Sequence, residues 1–207
     1  MIVNVFGQWT GNALVGLLLS AVLDTAGIKD QVSQTNLKLG LSFLQLLTAT
    51  TGSFLVDLIG RRPLLMFSNI ALASIWVCMA VATSQHEKSG SADSARAIVA
   101  FIVLFDIVFA ACVTPLQVLY TVEVLPFETR AKGDAFGGLA VNIAGLVNQF
   151  AWPISLAAIG WKTYIILVLW CLFQAIVIYL VLPETRNCTV SPSMNLYNVF
   201  QLIFFAA

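Results

Sequence analysis

Charge is what this sequence has least of. Of 207 residues, ten are Lys or Arg and ten are Asp or Glu, 10% in all, where a soluble domain carries about 25%. Twenty charges cannot cover the surface of a compact soluble domain of this length, so that class is excluded. The two signs cancel, and no net field points to nucleic acid or to an acidic partner. Histidine is nearly absent as well. Its one copy, His86, lies beside Glu87 and Lys88 in a polar stretch, where a solvated face is expected. Membrane-embedded hydrolases and metalloenzymes need His, a Ser/His pair or HExxH inside an apolar segment. No apolar run here contains one, so no catalysis, metal or cofactor is expected. The four cysteines, Cys78, Cys112, Cys171 and Cys188, have no CxxC or ligand spacing. Three lie within apolar runs and read as small packing residues. Met1-Ile2-Val3-Asn4 has no basic n-region, so no cleavable signal peptide is expected.

What the chain does have is apolar length. Hydrophobic residues make up 59%, against roughly 45–50% in an ordinary soluble domain, which also excludes disorder. The charges cluster, and six apolar runs fill the gaps: Ile2–Leu23, Leu37–Val56, Leu64–Thr83, Ala97–Val122, Ala135–Ala158 and Tyr164–Leu182. Each is long enough as a helix, at about 1.5 Å per residue, to cross roughly 30 Å of hydrocarbon. Lipid offers the backbone no hydrogen-bond partners, so the spans must be helices or a closed barrel. A barrel would need short alternating segments, which these are not. The expected class is an all-α integral membrane protein with six transmembrane helices. Connections are Asp24–Asn36, Gly60-Arg61-Arg62-Pro63, Ser84–Arg96, Glu123–Asp134 and Ile159-Gly160-Trp161-Lys162. Basic residues divide five and five between the two sides, so the positive-inside rule does not orient the chain.

Polar residues inside the spans are costly in lipid and should face the bundle interior or a water-filled cavity. Asn4, Gln8 and Asn12 recur every four residues and share one helical face. Asp106, Thr114, Gln117 and Thr121 fall within about 80° of arc on an ideal helix. Asn142 and Gln149 share a face of span 5, with Asn148 and Trp152 nearby. The alternative for each amide is interhelical hydrogen bonding without a ligand. Asp106, the one carboxylate deep in a span, reads either as a coupling or contact residue or as a packing acceptor. Pro115 removes a backbone donor in mid-span and should kink or loosen span 4. Gly7-Gly11 and Gly133-Gly137 have the GxxxG spacing of close helix packing.

Four motifs sit at the span boundaries. Span 1 contains Gly7-Gln8-Trp9-Thr10-Gly11-Asn12. Span 2 ends in Asp57-Leu-Ile-Gly60-Arg61-Arg62-Pro63. Glu123-Val-Leu-Pro126-Phe-Glu-Thr-Arg130-Ala-Lys132-Gly133 follows span 4, and Pro183-Glu184-Thr185-Arg186 ends span 6. Opposite charges at adjacent helix ends can form ion pairs that separate two bundle conformations, or act as ordinary interfacial anchors. In this order the motifs resemble the C-terminal half of the sugar porter family of the major facilitator superfamily, especially its fungal hexose and lactose permease branch. The resemblance covers about Val5 to Arg186.

It implies a 3+3 inverted repeat of helices, half of an alternating-access transporter with substrate at the midplane. It also implies a cytoplasmic latch of Asp57, Arg61, Arg62, Glu123, Arg130, Glu184 and Arg186, which orients those loops to the cytoplasm. Sugars would be the substrate, with amides matching their hydroxyls as donors and acceptors: Gln8, Asn12, Gln117, Asn142 and Gln149. Gln8 takes the second-glutamine place of the family's Gln-Gln-x-Ser-Gly pattern, but the first glutamine is Gly7. The family's asparagine is Ala13, its tyrosine pair Leu17-Leu18, and its span-4 tryptophan Val118. These departures leave the sugar open. The family's proton-coupling acid, where present, lies in the N-terminal half, so Asp106 stays open between coupling and packing.

Residues 1–186 are thus expected to form a six-helix bundle, whose partners are a sugar, the lipid bilayer and an N-terminal half that this chain does not encode. Residues 187–207 form a divergent tail, whose Asn187-Cys188-Thr189 glycosylation pattern would face the cytoplasm unused. A multi-pass protein of the plasma membrane is the expected setting. The alternative is a non-transporting remnant or membrane interaction protein. The expectation is that this chain alone, reconstituted in liposomes, moves no sugar; stereospecific glucose uptake by it would overturn this.

Overall fold

The computed structural model describes residues 2–25, 30–89, 92–117, 119 and 127–181, with most of their side chains. The regular structure among them is helical: α1 (Ile2–Trp9), α2 (Asn12–Thr25), α3 (Gln31–Ile59), α4 (Arg61–Ser89), α5 (Ala92–Val108) continued by a π-turn (Phe109–Val113), α6 (Phe127–Ile159) and α7 (Lys162–Val181). Five of these, α3 to α7 with the continuation of α5 to Gln117, are long and apolar enough to cross a membrane. They correspond to the second to sixth expected spans.

The first expected span, Ile2–Leu23, is not one helix. It breaks at Thr10-Gly11 into α1 and α2, of 8 and 14 residues. Gly11 sits at φ 102°, a conformation that only glycine adopts readily. A Cβ at Gly11 would also lie 2.5 Å from Cζ2 of Trp76. Hydropathy cannot register such a break, because both halves are equally apolar.

Elsewhere the helices overrun the apolar runs. α3 starts at Gln31, inside the expected loop Asp24–Asn36. α4 and α5 extend to Ser89 and from Ala92, inside the expected loop Ser84–Arg96, and α6 starts at Phe127. Hydropathy marks hydrocarbon depth, whereas a helix continues into the wet interface while its residues tolerate it. At about 1.5 Å per residue α3 is roughly 43 Å long. His86, expected on a solvated face, is half-buried, and its Nδ1 lies 2.9 Å from Ser94 Oγ, tying the end of α4 to the start of α5.

The loosening expected at Pro115 is the π-turn just before it. The Thr114 N–H reaches back five residues to Phe109 O. In a regular helix the Pro115 ring would press on the Ala111 carbonyl, which it cannot bond; the wider turn relieves that contact. The extra residue also shifts the register of everything after it, so the ideal 80° arc of Asp106, Thr114 and Gln117 does not survive. Asp106 is buried, Thr114 exposed and Gln117 half-buried. The displaced Ala111 carbonyl lies against α3 at Gly52, where a Cβ would be 2.0 Å from Ala111 O.

α4 and α7 form the most extensive helix pair. The main core lies among α2, α4, α5 and α7. Trp76 stacks on Tyr164 with centroids 5.7 Å apart and meets Phe105 at 5.1 Å, and Phe105 stacks on Phe109 at 5.9 Å. Cys112 and Cys171 are buried within packed clusters. By contrast, only 11% of the apolar window is buried in α3 and in α6, against 50% in α4. Phe43, Leu46, Phe54 and Leu58 of α3 and Phe136, Ile143, Leu146 and Phe150 of α6 all stand exposed.

Substituting Gly52→Val should therefore destabilise the bundle by about 3 kcal/mol, the upper end for overpacking, seen as a lowered unfolding midpoint in detergent. Gly16→Ala, with nothing within 4 Å of a Cβ there, should be neutral or stabilising by up to about 1 kcal/mol.

Candidate functional site

A helix that ends in mid-bundle leaves the carbonyls of its last turn without their intrahelical partners. In hydrocarbon each such group costs several kcal/mol if left bare. At the α1–α2 break three of these, and the Thr10 carbonyl that follows, are taken by side-chain donors. Gln174 Nε2 of α7 donates to Phe6 O at 3.0 Å, and Thr10 Oγ1 donates to Gly7 O at 2.7 Å. Asn148 Nδ2 of α6 donates to Gln8 O at 2.7 Å, and Trp76 Nε1 of α4 to Thr10 O at 3.0 Å. Gln117 Nε2, beyond the π-turn of α5, adds a longer bond of 3.4 Å to Asn4 O. Four separate helices thus converge on one short stretch of backbone.

Local sequence explains each donor. Among the described side chains of α6 the buried positions are Gly137, Ala144 and Asn148, spaced seven and four apart, so small residues bring that face against α1 and α2 and an amide reaches across. Gln117 is admitted by Gly7: a Cβ at position 7 would lie 1.7 Å from Gln117 Nε2. The amide of Gln117 fills the space where the family resemblance calls for the first glutamine side chain.

The expected site residues divide accordingly. Gln8 is half-buried at the break with its backbone held by Asn148, and Gln117 is held against Asn4 and Gly7. Asn142 and Gln149 stand on the exposed face of α6. Asn12, exposed at the start of α2, meets Asp106 at a different place, a cavity of about 190 Å³ between α2, α3 and α5. Its polar lining is Asn12, Lys38, Ser42, Gln45 and Asp106. Asp106 is 5% exposed, and the Gln45 side chain donates a hydrogen bond to its carboxylate. A buried acid, two amides, a hydroxyl and an ammonium around one cavity suit a small polar solute or a proton. Among the described residues no group of three His, Cys, Asp or Glu could hold a metal.

Of the expected latch, Arg62 is the member whose contacts are visible. Gly60, at φ 104°, makes the tight turn between α3 and α4, and Arg62 just after it reaches the end of α7. Its Nη2 donates to Tyr179 O, and its guanidinium lies 5.0 Å over the Tyr179 ring. A cation at a helix C-terminus is favoured by the carbonyl dipoles there, and the aromatic face adds to it. Arg61 is half-buried at the same turn. Glu123, Glu184 and Arg186, and the side chains of Asp57 and Arg130, lie outside the described residues.

Four contributors escaped the reading of the sequence. Gln45, Asn69 and Gln174 carry the same signal as the expected amides, a polar group inside an apolar run, in spans 2, 3 and 6. Trp76 carries a weaker one, an indole N–H that needs an acceptor when buried.

The family model described as sugar (and other) transporter matches residues 1–194. The glucose transporter GlcP of Staphylococcus epidermidis is 26% identical over 184 residues, which cover 88% of this chain and 40% of that protein. The sugar transporter ERD6-like 6 of Arabidopsis thaliana is 27% identical over 194 residues, 86% of this chain and 37% of its own length. Member 5 of solute carrier family 2, a facilitated glucose transporter of Equus caballus, is 26% identical over 167 residues, 80% and 32% respectively. The chain therefore spans between 32% and 40% of the length of these relatives.

The two neighbouring amides of α6 should behave differently on substitution. Asn148→Leu leaves Gln8 O without its donor and should lower stability by about 1–3 kcal/mol. Gln149→Leu, on an exposed position, should change it by less than about 0.5 kcal/mol. Denaturation midpoints of the two variants in the same detergent check this.

Proposed function

The chain belongs to the sugar (and other) transporter family and is a multi-pass membrane protein, and from that premise we propose that residues 1–186 form one half of an alternating-access carrier for sugars or related polyols. The observation that carries this reading is the broken first helix. Carriers build solute sites at discontinuous helices near the midplane, and here the break is held open by donors from four other helices while Gln8 remains half-buried beside it. Gln8, Asn12 and Gln117, with Asn142 and Gln149 on the exposed face of α6, supply the amides that hydroxyl groups require.

The second half of the carrier is a six-helix bundle lying against α3 and α6, whose apolar faces are bare. Solute passes between the two halves. Asp57, Arg61, Arg62, Glu123, Arg130, Glu184 and Arg186 form the cytoplasmic latch, and the contact of Arg62 with the end of α7 supports its location. Asp106 couples a proton through the cavity it shares with Gln45 and Asn12. Residues 187–207 stand apart as a tail, and the plasma membrane is the site of action. The bare faces of α3 and α6 equally favour a second reading, an interaction protein that binds another membrane protein and transports nothing.

The test is uptake by the chain joined to a six-helix partner half. Gln8→Ala should weaken sugar affinity about tenfold, roughly 1.4 kcal/mol, at constant surface amount. Asp106→Asn should flatten the pH dependence of uptake. Unchanged affinity would return Gln8 to helix packing, an unchanged pH profile would remove Asp106 from coupling, and no uptake by the parent would favour the interaction protein.

A further inference from the structure

Beneath the helix break lies a second and much smaller cavity, of about 10 Å³. Gly7 and Thr10 form its upper side, Asn69 of α4 and Gln174 of α7 its polar wall, and Leu65, Val113 and Ile178 part of the apolar remainder. Asn69 is 3% exposed and Gln174 is fully buried. Each amide is fixed by the bond that its nitrogen donates: Asn69 Nδ2 to Leu65 O at 2.8 Å, and Gln174 Nε2 to Phe6 O at 3.0 Å. Those bonds leave the two carbonyl oxygens, Asn69 Oδ1 and Gln174 Oε1, as acceptors that no donor among the described residues reaches.

We propose that this cavity binds one water molecule, which donates one hydrogen to Asn69 Oδ1 and the other to Gln174 Oε1. Volume, stoichiometry and charge agree on that occupant. About 10–15 Å³ is the room one water needs, and a buried water typically bridges two to four polar groups. Two acceptors and no protein donor call for a molecule with two hydrogens to give. No carboxylate lines the cavity, so the site lacks the negative charge that a cation site would use. Turning either amide over to spare its oxygen would break its nitrogen's bond, and for Gln174 that bond closes the α1 carbonyl row.

The bound water completes the hydrogen bonding of α4 and α7 beneath the break. The assignment does not depend on which solute the carrier moves.

A map of the full chain in lipid nanodiscs, at a resolution that shows ordered waters, should contain a peak about 2.7–3.2 Å from both oxygens. No peak, or amides turned onto protein donors, overturns the proposal. A double-mutant cycle provides the second test. Asn69→Leu and Gln174→Met should each raise the unfolding equilibrium constant about tenfold. The double variant should fall short of the product of the two by several-fold, because the first substitution already dismantles the shared water site. Strict additivity counts against a shared occupant. Replacing choline chloride by sodium or potassium chloride at equal ionic strength should leave the midpoint unchanged; cation-specific stabilisation would falsify the water in favour of a metal ion.

Discussion

No backbone carbonyl can be left bare at the depth of the hydrocarbon, and the arrangement of this bundle follows from that rule. A continuous first span would have closed its own hydrogen bonds. Breaking it at Thr10-Gly11 creates a row of acceptors that are filled by the Thr10 hydroxyl and by other helices. Gln174, Asn148, Trp76 and Gln117 come from α7, α6, α4 and the far side of the π-turn in α5, so four helices are positioned by a single short stretch of chain. Apolar burial cannot do this in a membrane, where lipid tails are as apolar as the core and directional bonds and close packing decide which helices meet. The aromatic group of Trp76, Tyr164 and Phe105 then fills the space beside the break.

Much of the architecture was legible from charge clusters and apolar runs, because both report how deep a residue sits. The second to sixth spans could be recognised that way. What hydropathy does not report is backbone dihedral angle, so the break inside Ile2–Leu23 stayed hidden, although Gly11 was visible as part of a motif. Helix ends were hidden for the same reason, since Gln31 to Asn36, polar except for Val32, are helical. The π-turn defeated the helical wheel at Asp106, Thr114 and Gln117 by inserting a residue between them. Proline at 115 signalled a disturbance but could not give its form.

Of the candidate site, sequence singled out amides inside spans but could not divide them by role. Asn148 and Gln149 are adjacent and chemically alike, yet one holds the Gln8 carbonyl and the other stands exposed. That distinction rests on a rotation of about 100° between neighbours on a helix and on where Gly137 and Ala144 let α6 approach. Gln117 is engaged because Gly7 has no side chain, a relation between residues 110 positions apart in the sequence that no local pattern contains.

The turn at Gly60 has a mechanical consequence. One residue separates α3 from α4, too short a tether to absorb sliding, so a thrust along the α3 axis is delivered to α4 with almost no slack. Gly52 resting on the Ala111 carbonyl gives the same rod a second bearing, on α5. A load applied to the bare flank of α3 would thus reach α4 through the turn and α5 through the Gly52 bearing.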